Sequence, residues 1–180
     1  MQWRLQTEVC TFVQAAQQFC QVVDAPAGEP EIWAKKVLQT LLPLCSAGLA
    51  LSSFEIEVSD SKKMPAAPFT TKQWQQLFGR LSMFLGERKY YSQLDFESWR
   101  KPDQQEAFVG DLADDLADIY GDILPGIQQW NSEAEEYLGD IVWDWQFGFT
   151  HHWGDHAIAA IGYLHYLTFS PPLLRGNANS

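Results

Sequence analysis

From residue 111 the chain reads Asp111-Leu-Ala-Asp-Asp-Leu-Ala-Asp-Ile-Tyr-Gly-Asp122, and this stretch admits one conformation. Leu112, Leu116, Ile119 and Ile123 recur at three- and four-residue steps, as do Asp111, Asp115, Asp118 and Asp122. Only an α-helix sorts both sets onto separate faces, because a strand returns to the same face every second residue. At about 100° per residue the four aspartates fall within an arc of roughly 60°. Phe108 extends the apolar stripe backwards, so the helix is predicted to start near Pro102. Its apolar face needs other helices to cover it.

The rest of the chain offers them. Val9, Phe12, Val13, Ala16, Phe19, Cys20 and Val23 repeat at helical spacing over 6–23, before the breaker Asp24-Ala-Pro-Ala-Gly-Glu-Pro30. Pro30 suits the first turn of a second helix reaching Leu51, which Pro43 should kink or shorten. Thr70 or Thr71 caps a third helix with Trp74, Leu77, Phe78, Leu81 and Leu85 on one face, stopping at Gly86. Residues 90–102 read as an aromatic-rich loop. Pro125-Gly126 should kink or end the fourth helix, and Ser132 with Glu135 has the spacing of a capping box for a fifth. A sixth follows Gly154.

Trp143, Trp145, Phe147 and Phe149 alternate with polar or small residues at strand period, yet the capped residues before them favour helix. Phe54, Ile56 and Val58 also alternate, but no convincing second strand offers a partner, so 52–69 is an irregular extended connection. The expectation is an all-α, single-domain bundle of about six helices over 1–170, with 171–180 a flexible C-terminal tail. Eight Trp and eleven Phe in 180 residues imply a bulky core. Three cysteines without a CxxC pair argue against a disulfide framework, and Cys10, Cys20 and Cys45 read as small buried hydrophobes. No signal peptide or membrane span is legible, which suggests a cytoplasmic protein.

Charge is distributed unevenly. Residues 1–101 carry eleven basic and ten acidic side chains, whereas 102–174 carry thirteen acidic and no basic ones. Nucleic acid and anionic membranes are excluded as partners of that half, since both require basic surface. Three readings remain: a solvated acidic face, a surface for a basic protein partner, or a site that takes a cation. Like charges at i,i+4 disfavour a helix by roughly 0.2–0.5 kcal/mol per pair, and Asp is a poor helix former. The stack Asp111, Asp115, Asp118 and Asp122 is therefore a candidate for a hard cation such as Mg²⁺ or Mn²⁺. His152 and His156, spaced i,i+4, join it as candidate metal ligands, unless Gly154 breaks the helix between them. No nucleophile elbow, P-loop or dinucleotide fingerprint is present.

The run from Asp111 to Asp122, followed by Trp143-Asp-Trp-x-Phe-x-Phe-x-x-His-Trp-Gly-Asp-His156 and Ala-Ile-x-x-Leu-His165, resembles a family of bacterial domains of about 180 residues and unknown function. That resemblance implies an all-α fold over most of the chain and brings no activity. Gly110-Asp-Leu-Ala-Asp-Asp-Leu-Ala-Asp-Ile119 alone is similar to the second metal helix of MazG-type nucleoside triphosphate pyrophosphohydrolases. By that likeness Asp111, Asp115 and Asp118 would hold Mg²⁺ and activate water against a triphosphate. Such enzymes pair the helix with an upstream Glu-x-x-Glu, and Glu97 and Glu106 do not form one. The sequence thus leads to an acidic, non-enzymatic binding or adaptor domain that requires no cofactor. The alternative is a divalent-metal hydrolase working through the aspartate helix.

Overall fold

The computed structural model describes residues 2–56, 68–94, 107–132 and 137–170. Six helices build it: α1 (Thr7–Asp24), α2 (Pro30–Leu51), α3 (Thr71–Leu85), α4 (Leu112–Trp130), α5 (Leu138–His151) and α6 (Trp153–Phe169). The predicted all-α bundle is what forms. α1 lies on α2, α2 on α6, and α6 on both α4 and α5, so α6 joins the two halves of the bundle. It buries one side, through Trp153, Ala157, Ala160, Leu164 and Leu167, and leaves the other exposed.

The apolar stripes meet as the periodicity requires. Val9, Phe12, Ala16, Phe19 and Val23 of α1 and Leu112, Leu116, Ile119 and Ile123 of α4 are fully buried or nearly so. Trp33, Trp145 and Trp153 fill the centre with Phe12, whose ring lies 4.8 Å from that of Trp145. Burying side chains of this size gives roughly 1.5–3 kcal/mol each before chain entropy is subtracted. At the start of α3 Thr70 and Gln73 form a reciprocal capping box, and Gly86 ends the helix. Residues 143–150 are helical, and Trp143 stacks on Phe147 one turn away at 4.9 Å.

Several boundaries differ from the sequence reading, each for a physical reason. The fourth helix starts ten residues later than expected, because β1 (Tyr90–Leu94) pairs antiparallel with β2 (Ala107–Asp111). Phe108 thereby leaves the predicted buried stripe and is 47% exposed on the hairpin. Neither Pro43 nor Pro125 ends its helix, since packing outweighs one missing backbone donor. Beside Pro125 the Trp145 indole reaches across from α5 to the Ile123 carbonyl at 3.4 Å. Ser132 does not cap α5. Its hydroxyl turns back to the Gln129 carbonyl at the end of α4, and α5 opens only at Leu138.

The break between α5 and α6 falls at His152, whose φ and ψ of −150° and −84° leave the helical region, rather than at Gly154. Gly154 lies inside α6 against the Phe149 carbonyl oxygen, where any Cβ would clash with backbone. Of the cysteines Cys20 is buried, with burial pushing its thiol up to about 12, and Cys45 is half-buried. Cys10 is exposed, contrary to expectation, its thiol directed at the Arg4 carbonyl. Residues 54–56 have no regular structure; Val58 and most of the expected 52–69 connection lie outside the described residues, as do Glu135 and the 171–180 tail. Among the described residues no helix is long and apolar enough to cross a membrane.

Candidate functional site

The aspartate face of α4 is not a solvated face. It is roofed by α3, by the β1–β2 hairpin and by the α5–α6 corner, and each contributes a polar group to it. The four predicted aspartates separate into two pairs.

Asp111 and Asp115 are held by the hairpin. Asp111 is the N-cap of α4, one oxygen accepting from the Ala113 amide at 2.9 Å and the other paired with the Lys89 ammonium. That ammonium also lies 4.8 Å from the centre of the Phe78 ring and 4.6 Å from that of Tyr90. Register places Tyr91 opposite Gly110, and the tyrosine ring occupies the space a Cβ there would need. Tyr91 stacks on Tyr163 at 4.7 Å and donates its hydroxyl to Asp115 Oδ2 at 2.6 Å. Burial and the Asp115 carboxylate together push the Tyr91 phenol well above its ordinary range, so it stays a donor. Asp115 is 6% exposed, and its other oxygen receives His156 Nδ1 at 2.9 Å.

Asp118 and Asp122 face the α5–α6 corner. Asp118 accepts from the Trp74 indole at 2.6 Å and lies 3.4 Å from His156 Nε2. Asp122 holds His152 Nδ1 at 2.7 Å. The two imidazoles stand edge to face with centroids 5.0 Å apart. They meet although the helix between them is broken, because His152 is the corner residue. Ligand atoms of Asp118, His152 and His156 all lie within 4.8 Å of one another. Asp111, Asp115 and Asp122 of the predicted set stay outside that group of three. Asp115 and Asp122 instead grip its histidines.

The His156 imidazole is shifted up from its ordinary value of 6.5. The hydrogen bond to Asp115 is the main cause, burial opposes it, and the charges of Asp115, Asp118 and Asp114 add to it. Asp114 is raised in turn, by burial first and by the Asp118 charge second. Trp74 and Tyr91 were missed as members of this network. The one signal that could have found them is that a buried indole N–H or phenol O–H must reach an acceptor.

From Asp118 a cleft of about 670 Å³ opens between α4 and α5 under Phe69 and Trp74. Asp122, Asp144, Gln129, Trp145, Phe147 and His152 are among its walls, and no Lys or Arg lines it among the described residues. Fold and site together define a small all-helical domain with a His–His–Asp corner at the mouth of an aromatic cleft.

The chain belongs to the DUF5063 family, a domain of unknown function whose sequence profile matches residues 4–170. Its fold is similar to the crystal structure of protein BF1032 from Bacteroides fragilis, a structural-genomics target. The two share 23% identity, covering 94% of this chain and 98% of that one, with a TM-score of 0.76. That likeness carries the fold alone. No curated protein matches the chain. The family of unknown function expected from the sequence is thus found, whereas the likeness of one helix to MazG-type enzymes is not shown by these comparisons.

Proposed function

We propose that this domain binds a divalent transition metal through Asp118, His152 and His156 and presents its open positions to the α4–α5 cleft. One observation carries the reading: the ligand atoms converge while each imidazole gives its Nδ1 to a carboxylate outside the group. A carboxylate behind a metal-bound histidine fixes the tautomer and strengthens the ligand, and such partners are the rule in metal sites. Two ligands of a tetrahedral ion at about 2.0–2.1 Å stand roughly 3.3 Å apart. His156 Nε2 and Asp118 Oδ2 already stand at 3.4 Å, and a ligand atom of His152 lies within 4.8 Å of the other two ligand atoms.

Two imidazoles and one carboxylate suit zinc, iron(II) or manganese better than the Mg²⁺ an aspartate stack would take. Three protein ligands leave room for water or a small ligand on the cleft side, where the ion acts as a Lewis acid. A nucleoside triphosphate is a poor fit, because the described walls offer its phosphates no cationic side chain besides the ion.

The test is thermal melting of protein stripped by chelator, with zinc, manganese or magnesium chloride added at ionic strength matched with KCl. Binding to the folded state raises the melting temperature by mass action. The expected result is a rise with zinc or manganese that Mg²⁺ and KCl fail to reproduce, and that Asp118→Asn and His152→Ala abolish. A rise equal to that from KCl, or one kept by both variants, would overturn the reading.

A second reading, a binding module with no metal, draws on the outer face of α6. Ile158, Tyr166 and Phe169 are 55%, 40% and 60% exposed there, in a stretch of chain, 102–174, that has thirteen acidic side chains and no basic one. A lysine-rich amphipathic peptide should then perturb the NMR signals of α6, and Ile158→Ser should remove that response. A flat titration would rule this reading out.

A further inference from the structure

The two oxygens of Asp118 have different partners. Oδ1 accepts from the Trp74 indole N–H at 2.6 Å, whereas Oδ2 stands 3.4 Å from His156 Nε2. Of the two, Oδ2 is therefore the one placed to share an ion with that histidine.

The indole is aimed by its own helix. The Thr70–Gln73 capping box fixes the turn before it, and the Trp74 backbone amide bonds to the Thr70 carbonyl at 2.9 Å. One turn further on, Phe78 stacks on the indole with ring centres 5.0 Å apart and planes 9° from parallel. A ring so held has little freedom left to lose when its N–H meets an acceptor. A hydrogen bond to a charged acceptor is also roughly twice as strong as one between neutral groups. An ion that took both Asp118 oxygens would have to displace this donor and leave a half-buried N–H without an acceptor.

Ions differ in what they ask of a carboxylate. Zinc is satisfied by four ligands, and one oxygen is enough. Manganese, like calcium and magnesium, prefers oxygen donors and a fuller shell, to which a two-oxygen carboxylate adds a ligand. We propose that Trp74 is a positioning residue for metal selectivity: its N–H confines Asp118 to one-oxygen ligation and so favours zinc over manganese. The inference rests on the metal reading above and adds to it a residue that touches no ion.

The experiment compares the full chain with Trp74→Phe and Phe78→Leu, each stripped by chelator and loaded with zinc, manganese or cobalt(II). Trp74→Phe keeps a ring beside Phe78 and loses the donor, whereas Phe78→Leu loosens the same packing and keeps it. Affinities come from competition with a chromogenic chelator, and the visible absorption of cobalt(II) weakens as its coordination number rises. In Trp74→Phe the zinc-to-manganese affinity ratio should fall about tenfold, the effect of one charge-assisted hydrogen bond, and the cobalt absorption should weaken. Phe78→Leu should change neither by more than about twofold. A measurement on the wild type decides the matter even if Trp74→Phe fails to fold. The Trp74 indole proton, assigned by NMR through its contacts with the Phe78 ring, should stay downfield and protected from exchange when zinc is added. An unchanged ratio and spectrum in Trp74→Phe would overturn the proposal, as would equal changes in Phe78→Leu or loss of the downfield signal with zinc. Each of these leaves the zinc response of the wild type, and with it the metal reading, in place. A wild type that ignores zinc would overturn both.

Discussion

Asp111 and Asp115 occupy the same helix face as Asp118 and Asp122, with the same spacing and the same side chain, yet the two halves of the stripe differ in kind. The first pair is locked: one carboxylate caps α4 and holds Lys89, and the other is buried between Tyr91 and His156. The second pair stands at the mouth of a cleft, 22% and 33% exposed, and holds histidines from the α5–α6 corner. A helix sets which residues share a face. What that face does is set by elements that come to rest on it from elsewhere in the chain. Here the hairpin makes half of the stripe structural and the corner makes the other half available.

Breaking the locked half should cost the most stability. Asp115→Ala leaves the Tyr91 hydroxyl and the His156 imidazole without their shared acceptor inside the protein. Removing one member of a buried pair costs about 3–5 kcal/mol, which for a chain of this size lowers the melting temperature by roughly 10 °C. Thermal denaturation checks this, and a loss below about 1 kcal/mol would mean that the pair is not locked. Gly154→Ala strikes the corner. Its Cβ meets the Phe149 carbonyl oxygen, so α5 and α6 must move apart at a cost of about 2–3 kcal/mol. Any metal response should vanish with the convergence of His152 and His156, although no ligand is altered.

Tyr91→Phe is the milder cut in the locked half. It removes one hydrogen bond and keeps the stacking on Tyr163, so a loss of about 1–2 kcal/mol is expected by denaturant titration. Asp118→Asn should do the reverse of Asp115→Ala. The amide oxygen still accepts from the Trp74 indole, so stability changes by no more than about 0.5 kcal/mol. The zinc-dependent rise should disappear with it. Similar stability losses in Asp115→Ala and Asp118→Asn would dissolve the distinction between the two halves.

The helices were legible because their apolar faces repeat at period 3.6, and period survives without knowledge of the partner. The stripe itself was legible for the same reason. Its division was not, because Tyr91 and Trp74 act on it from 24 and 44 residues' sequence distance and carry no periodic mark. The hairpin escaped notice since Tyr90-Tyr-Ser-Gln-Leu94 alternates weakly and no turn of two residues joins it to Ala107–Asp111. His152 and His156 were found by an i,i+4 spacing that the structure does not use. They meet because the chain turns at His152, a turn that required Gly154 to sit against backbone rather than to end a helix.

His156 bridges the halves, and its titration decides to which it belongs. Its imidazole is held above the ordinary 6.5 mainly by Asp115, with Asp118 a lesser cause. A group whose folded pKa is raised stabilises the fold fully below its unfolded pKa and loses that contribution as pH climbs through the folded value. In chelated protein, stability should therefore fall as pH rises from 6.5 upward, a slope absent from His156→Gln. The effect is the smallest expected here, since solvent reaches a quarter of the side chain. Asp118→Asn should keep most of the slope, because the Asp115 hydrogen bond remains. If Asp118→Asn removed the slope entirely, the charge on His156 would belong to the cleft side, and the locked half would consist of Asp111 and Tyr91 alone.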